Sequence, residues 1–142
     1  MSQDLSNPEK YLIQRDRMKL IDAIVDVDTK KVVARSVVSE LWPLQTSRGV
    51  SPLLIIELVA QTAGIQIRWD ELEKNFKSPM GGGFIVGVRD AEFFCDTIAL
   101  GSAVETCAEK IASYMNYAEF QGKTFVDGQV LGQAVIQVLR TD

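Results

Sequence analysis

The stretch Ser51-Pro52-Leu53-Leu54-Ile55-Ile56-Glu57-Leu58-Val59-Ala60-Gln61-Thr62-Ala63-Gly64 constrains this chain more than any other. Ser51 as N-cap and Pro52 in the first turn predict the start of a helix. From Leu53 onward the helix is apolar nearly all the way round, and a helix without a polar face belongs inside a fold. A single carboxylate, Glu57, sits in its middle. A carboxylate among Ile55, Ile56, Leu58 and Val59 is costly unless it is paired, protonated or used. Glu57 is therefore the first candidate functional residue.

The segments around this helix are strand-like. Ile and Val at residues 20–28 predict a first strand, Asp28-Thr29-Lys30-Lys31 a turn, and residues 32–38 a second strand, together a hairpin. Residues 39–50, with Pro43, Ser47, Arg48 and Gly49, predict a loop. The helix is expected to reach about Phe76, where Ser78-Pro79-Met80-Gly81-Gly82-Gly83 stops it. Strands are then expected from Phe84 to Cys95, Ala103 to Ser113 and Met115 to Gln121, with a turn at Gly122-Lys123. A last strand runs from Val130 to Leu139, where Ala134, Ile136 and Val138 alternate with Gln133, Val135 and Gln137. Residues 1–10 read as a lead-in, and the 142 residues as one domain. The layout is α+β, one antiparallel sheet wrapped around a long central helix, which is the hot-dog pattern. Such a chain leaves a sheet edge and part of its helix uncovered, so pairing into a dimer is expected.

Composition narrows the function. A net charge of −4 argues against nucleic acid as a partner. No apolar run reaches the roughly 18 residues of a membrane span, and the polar N-terminus lacks a signal-peptide core, so a cytoplasmic protein is expected. The chain has no histidine. That excludes histidine-ligated metals and Ser-His or Cys-His nucleophiles. Cys95 and Cys107 match no metal or redox spacing and read as small apolar strand residues. Gly81-Gly82-Gly83 is not a phosphate loop, because no Gly-Lys-Ser/Thr comes after it. Neither a metal nor an organic cofactor is expected.

Three segments together carry a resemblance. Leu53-Leu54-Ile55-Ile56-Glu57-Leu58-Val59-Ala60-Gln61 is similar to the central-helix signature V-L-I-I-E-A-x-A-Q of the hot-dog β-hydroxyacyl-(acyl-carrier-protein) dehydratases. Phe84-Ile85-Val86-Gly87-Val88-Arg89-Asp90-Ala91-Glu92-Phe93 is similar to their F-V-G-x-x-x-x-R-F strand. Tyr11 to Asp22 is similar to their opening segment, and Leu100-Gly101 to a later Pro-Gly turn. The resemblance spans about Tyr11 to Leu139. It breaks at the loop before the helix, where those enzymes carry a catalytic histidine in H-F-P-x-x-P. Here Trp42-Pro43-Leu44-Gln45-Thr46-Ser47-Arg48-Gly49-Val50-Ser51-Pro52 stands instead, with Pro43 at the histidine position. In this the chain is closer to a divergent branch associated with aryl-polyene and polyketide gene sets, which has a Gly-rich loop there.

The resemblance implies a β-hydroxyacyl thioester substrate, carried on acyl carrier protein or coenzyme A. Dehydrating it takes a base, an acid and N–H groups around the thioester oxygen. By resemblance Glu57 is the acid and the Gly87 N–H holds the carbonyl, while the spacing puts Gln61 four residues on, on the same helix face, where it can orient Glu57. Val86, Val50 and Ser51 complete the expected substrate contacts. The base is missing, and Tyr11, Asp16 and Ser47 are the stand-ins. Plainer readings remain open. Glu57 can pair with Arg15, Arg17 or Arg89, Gly87 can mark a bulge, and Arg15, Arg17, Arg48 and Arg89 can be solvated charge rather than contacts to a carrier protein or a pantetheine phosphate. Three functions fit this pattern. One is a dehydratase-like lyase of fatty-acid or polyketide synthesis. Another is a thioesterase in which the helix carboxylate attacks or activates water. The third is a non-catalytic partner of a histidine-bearing paralogue.

Overall fold

A computed structural model describes residues 5, 8, 11, 19–74 and 83–140. The elements run β1 (Ala23–Val27), β2 (Lys31–Val37), β3 (Gly49–Val50), α1 (Leu54–Glu73), β4 (Gly83–Phe93), β5 (Ile98–Ala99), β6 (Ala103–Tyr114), β7 (Tyr117–Val126) and β8 (Gln129–Arg140). Six strands form one sheet in the order β1-β2-β6-β7-β8-β4, and β3 pairs with β5 in a separate ladder. All the pairings are antiparallel. Most of the lead-in, Arg15, Asp16, Arg17, the helix end at Phe76 and the segment from Ser78 to Gly82 lie outside the described residues.

Period-two alternation decides which sheet face meets α1. Ala134, Ile136 and Val138 of β8 are buried, as expected, together with Ala118 and Phe120 of β7 and Val104 and Ala108 of β6. They form one core with Ile55, Leu58, Val59 and Ile65 of α1. Glycine sets how closely the helix approaches. A Cβ on Gly122 would lie 2.4 Å from Val59 Cγ1, and one on Gly132 would lie 2.6 Å from Ile55 Cδ1. This corrects the turn expected at Gly122-Lys123. Both residues lie inside β7, and the glycine there makes space for Val59 instead of bending the chain. The reversal comes at Asp127-Gly128, whose φ values of 51 and 80 suit a two-residue hairpin turn.

Other boundaries shift for local reasons. The first strand is shorter than residues 20–28, because the Leu20 N–H is diverted to Gln61 Oε1 at 2.9 Å. The loop at 39–50 contains β3, whose Gly49 faces Ala99 across the ladder. A Cβ there would lie 1.9 Å from the Ile98 carbonyl oxygen, so backbone packs on backbone. Ser51 is not the N-cap. The chain enters α1 through i→i+3 bonds that begin with Leu54 N–H to the Ser51 carbonyl at 3.1 Å, and Leu53 takes the cap position. The Ser51 hydroxyl instead accepts the Leu53 N–H at 3.2 Å. Cys95 lies past the end of β4, while Cys107 is a strand residue of β6. Burial raises the pKa of both thiols, which argues against reactive cysteines.

Nor is α1 covered all the way round. Leu53 is 55% exposed, and Ile56, Glu57, Ala60 and Gly64 are half-buried. These positions recur at three and four residues, so they form one open stripe along the helix.

Candidate functional site

Glu57 lies on that stripe near the start of α1, where it lines a cavity of about 350 Å³. The other lining residues are Leu20, Pro43, Leu44, Leu53, Leu54 and Ile56. Among the described lining residues Glu57 is thus the one titratable group in an apolar wall. The fully buried Gln61 holds it in place, donating through Nε2 to Glu57 Oε1 at 3.1 Å while its own Oε1 accepts the Leu20 N–H. One amide therefore ties the carboxylate, the helix and the lead into β1 together.

The opposite wall is the loop at which the resemblance breaks. Pro43, which stands at the expected histidine position, lines the cavity beside Leu44. Leu44 has a φ of 57, an uncommon conformation for a leucine. Its carbonyl accepts the Ser51 N–H at 2.9 Å. A cluster of hydroxyl contacts pins the far side of this loop. Thr46 Oγ1 and Thr97 Oγ1 lie 2.6 Å apart, Thr97 Oγ1 donates to the Val50 carbonyl at 3.2 Å, and the Gly49 N–H donates to Thr46 Oγ1 at 3.0 Å. The loop's course is fixed at the cavity mouth, and its side chains there are apolar.

The remaining candidates separate. Val50 is fully buried in β3 and Ser51 serves the helix entry, both outside the described cavity lining. Gly87 lies on β4, an edge strand, at a register shift between Ile85 and Gly87. Val86 is the bulged residue between those pairings, and its side chain lies outside what the structure describes. Within one chain, then, Gly87 and Glu57 do not share the described cavity. Of the stand-in bases, Tyr11 is buried and Ser47 exposed, and neither is among the lining residues. Arg89 does not pair with Glu57. Its guanidinium binds Glu119 at 2.9 Å. The wall formed by Pro43 and Leu44 could not be read as such from the sequence, since it depends on how the loop folds back on α1.

One sheet wrapped on one helix is the hot-dog fold, and similarity to known proteins puts the chain in its acyl-carrier-protein dehydratase class. The chain belongs to the ApeP-like family, described as ApeP dehydratase, whose model matches residues 6–142. Over 148 residues it is 24% identical to the 3-hydroxyacyl-[acyl-carrier-protein] dehydratase FabZ of Campylobacter lari, covering 98% of each chain. Its fold matches a chain of the dehydratase heterocomplex ApeI:P from Xenorhabdus doucetiae with a TM-score of 0.86, at 19% identity over 95% of this chain and 91% of that one. A hypothetical thioesterase with coenzyme A from Streptococcus pneumoniae TIGR4 matches with a TM-score of 0.65, at 12% identity over 83% and 84%. These two structural likenesses are of fold.

Proposed function

We propose that this chain is a dehydratase-like subunit of fatty-acid or polyketide synthesis. It binds a β-hydroxyacyl thioester of acyl carrier protein or coenzyme A, with the Glu57 carboxyl at the leaving hydroxyl. The observation that carries this reading is Glu57 itself, oriented by Gln61 and facing an apolar cavity with no second titratable group among the described lining residues. In the elimination, a base takes the proton beside the carbonyl and that C–H electron pair becomes the new C=C bond. The carbon–oxygen bond breaks as Glu57 gives its proton to the hydroxyl, which leaves as water. Gly87 lies outside the Glu57 cavity within one chain, so its N–H holds a thioester oxygen, while charge builds on it, in the site that the second chain completes.

The base comes from a second hot-dog chain. Two observations support this. Pro43 fills the wall where the resemblance places a histidine, and a matching fold occurs in a dehydratase heterocomplex. The stripe of α1 left open beside Glu57 is the surface such a partner would cover. Work on a carrier-bound substrate fits the cytoplasm, and no described helix is long and apolar enough to cross a membrane.

Mass spectrometry of a β-hydroxyacyl carrier-protein thioester tests this, with the chain alone and mixed with a histidine-bearing paralogue. The expected outcome is loss of water in the mixture, slowed about 100-fold or more by Glu57→Gln. Release of free acid would move the protein to the thioesterases. Dehydration by the mixture that is indifferent to Glu57→Gln would make this chain the non-catalytic subunit.

A further inference from the structure

Among the described residues, the sheet face turned away from α1 holds one buried carboxylate. Glu119 of β7 is 9% exposed. It accepts a hydrogen bond from Arg89 Nη1 at 2.9 Å and another from the Tyr117 hydroxyl. Gln137 of β8 hydrogen-bonds to both Glu119 and Tyr117. Tyr117 holds the Glu119 carboxyl below its usual range, so it stays ionised. The other Arg–Glu pair on this face, Arg35 with Glu105, is about half exposed on both sides and behaves as an ordinary surface pair.

Register carries this cluster to β4. Glu119 faces Gln137, and Gln137 faces Gly87, so the three form one row across β7, β8 and β4. A Cβ on Gly87 would lie 2.5 Å from Gln137 Oε1, which means the glutamine amide occupies the space a side chain would take. β4 is irregular here, with register shifts between Ile85 and Gly87 and between Val88 and Asp90. A bulge bends a strand and interrupts its ladder, so the course of the backbone must be fixed from elsewhere. Gly87 and Arg89, which flank Val88, are both tied to Glu119, one through Gln137 and the other by its ion pair.

We propose that Glu119 is a positioning residue, fixing the bulged backbone of β4 at Gly87 through Gln137 and Arg89. The proposal rests on the reading above, in which the Gly87 N–H holds a thioester oxygen. An N–H that stabilises developing charge must be aimed before the reaction starts, and a small misplacement lowers the rate without weakening substrate binding. Glu119 lies on the face away from α1 and acts only through the strand.

Amide hydrogen exchange and steady-state kinetics on a β-hydroxybutyryl carrier-protein thioester test this in wild type, Glu119→Ala, Glu119→Gln and Gln137→Ala, each in complex with the partner that supports turnover. Glu119→Ala is expected to speed exchange at residues 86–89 about tenfold while α1 and β6 stay unchanged. It should lower kcat by a similar factor at constant KM. Glu119→Gln, which keeps an acceptor for Tyr117, should restore most of the protection. Exchange that is unchanged, or faster throughout the sheet, overturns the proposal. So does a local rise with unchanged kcat. A wild-type complex without turnover defeats the function proposed above but leaves the clamp to be decided by the exchange profile alone.

Discussion

At the scale of single residues, the glycines of this sheet divide by what they face. Gly122 carries α1, and a methyl group there would meet both Cγ atoms of Val59, at 2.4 and 2.5 Å. Val59 is a fully buried β-branched side chain with little freedom to move. Gly122→Ala is therefore expected to cost about 1–3 kcal/mol, the usual range for overpacking, read as a lower urea midpoint at unchanged slope. Asp28 shows a different single-residue effect. Its Oδ1 accepts the Lys30 and Lys31 N–H groups at 2.8 Å each, which holds the carboxyl below its ordinary 3.8. A carboxylate depressed in the fold stabilises it above the unfolded pKa, and that support fades as pH falls through the folded value. Asp28→Asn should therefore be less stable than wild type at neutral pH. The gap should close as pH drops from 3.8 through the lower folded pKa, as paired urea titrations would show.

Elements add couplings that no single residue reveals. Thr106 of β6 and Thr124 of β7 face α1 and are almost fully buried, with their hydroxyls 3.0 Å apart. Thr106→Val alone strands the other hydroxyl and should cost about 1–3 kcal/mol, whereas the double change to valine should be close to neutral. A double-mutant cycle by chemical denaturation measures that difference. The same scale explains what the sequence made legible. The helix was readable because fourteen consecutive residues from Ser51 carry one message, and β8 because Ala134, Ile136 and Val138 recur at every second position. The turn misplaced at Gly122-Lys123 had no such redundancy. A glycine required by a helix crossing above it looks the same in sequence as one required by a bend. Glu57 and Gln61 stood out as an i, i+4 pair, and their hydrogen bond forms. The Glu119 cluster stayed hidden because β4, β7 and β8 come together only in the folded sheet.

For the whole molecule, the decisive feature is a sheet face that α1 does not fill. Val88 of β4 faces Ile136, which is fully buried against the helix, yet Val88 is 44% exposed. Phe94, just past the strand, is 55% exposed. The helix covers the middle of the sheet and leaves apolar surface at the β4 edge. β1, at the other edge, is only 5 residues long and is interrupted by a bulge between Ile24 and Asp26, features that discourage strand pairing. β4 is 11 residues long, and its exposed Val88 is open to a second chain. Association is therefore expected at the β4 edge and not at β1. Val88→Lys should reduce the complex to single chains, whereas Val25→Lys on β1, at a residue 46% exposed, should leave it intact. Sedimentation velocity of each variant, alone and mixed with a histidine-bearing paralogue, separates self-pairing from pairing with the paralogue. Neither variant should lower the thermal midpoint of the isolated chain, because each changes an exposed side chain. Dissociation by Val25→Lys instead would move the interface to the opposite edge and leave the β4 surface without its partner.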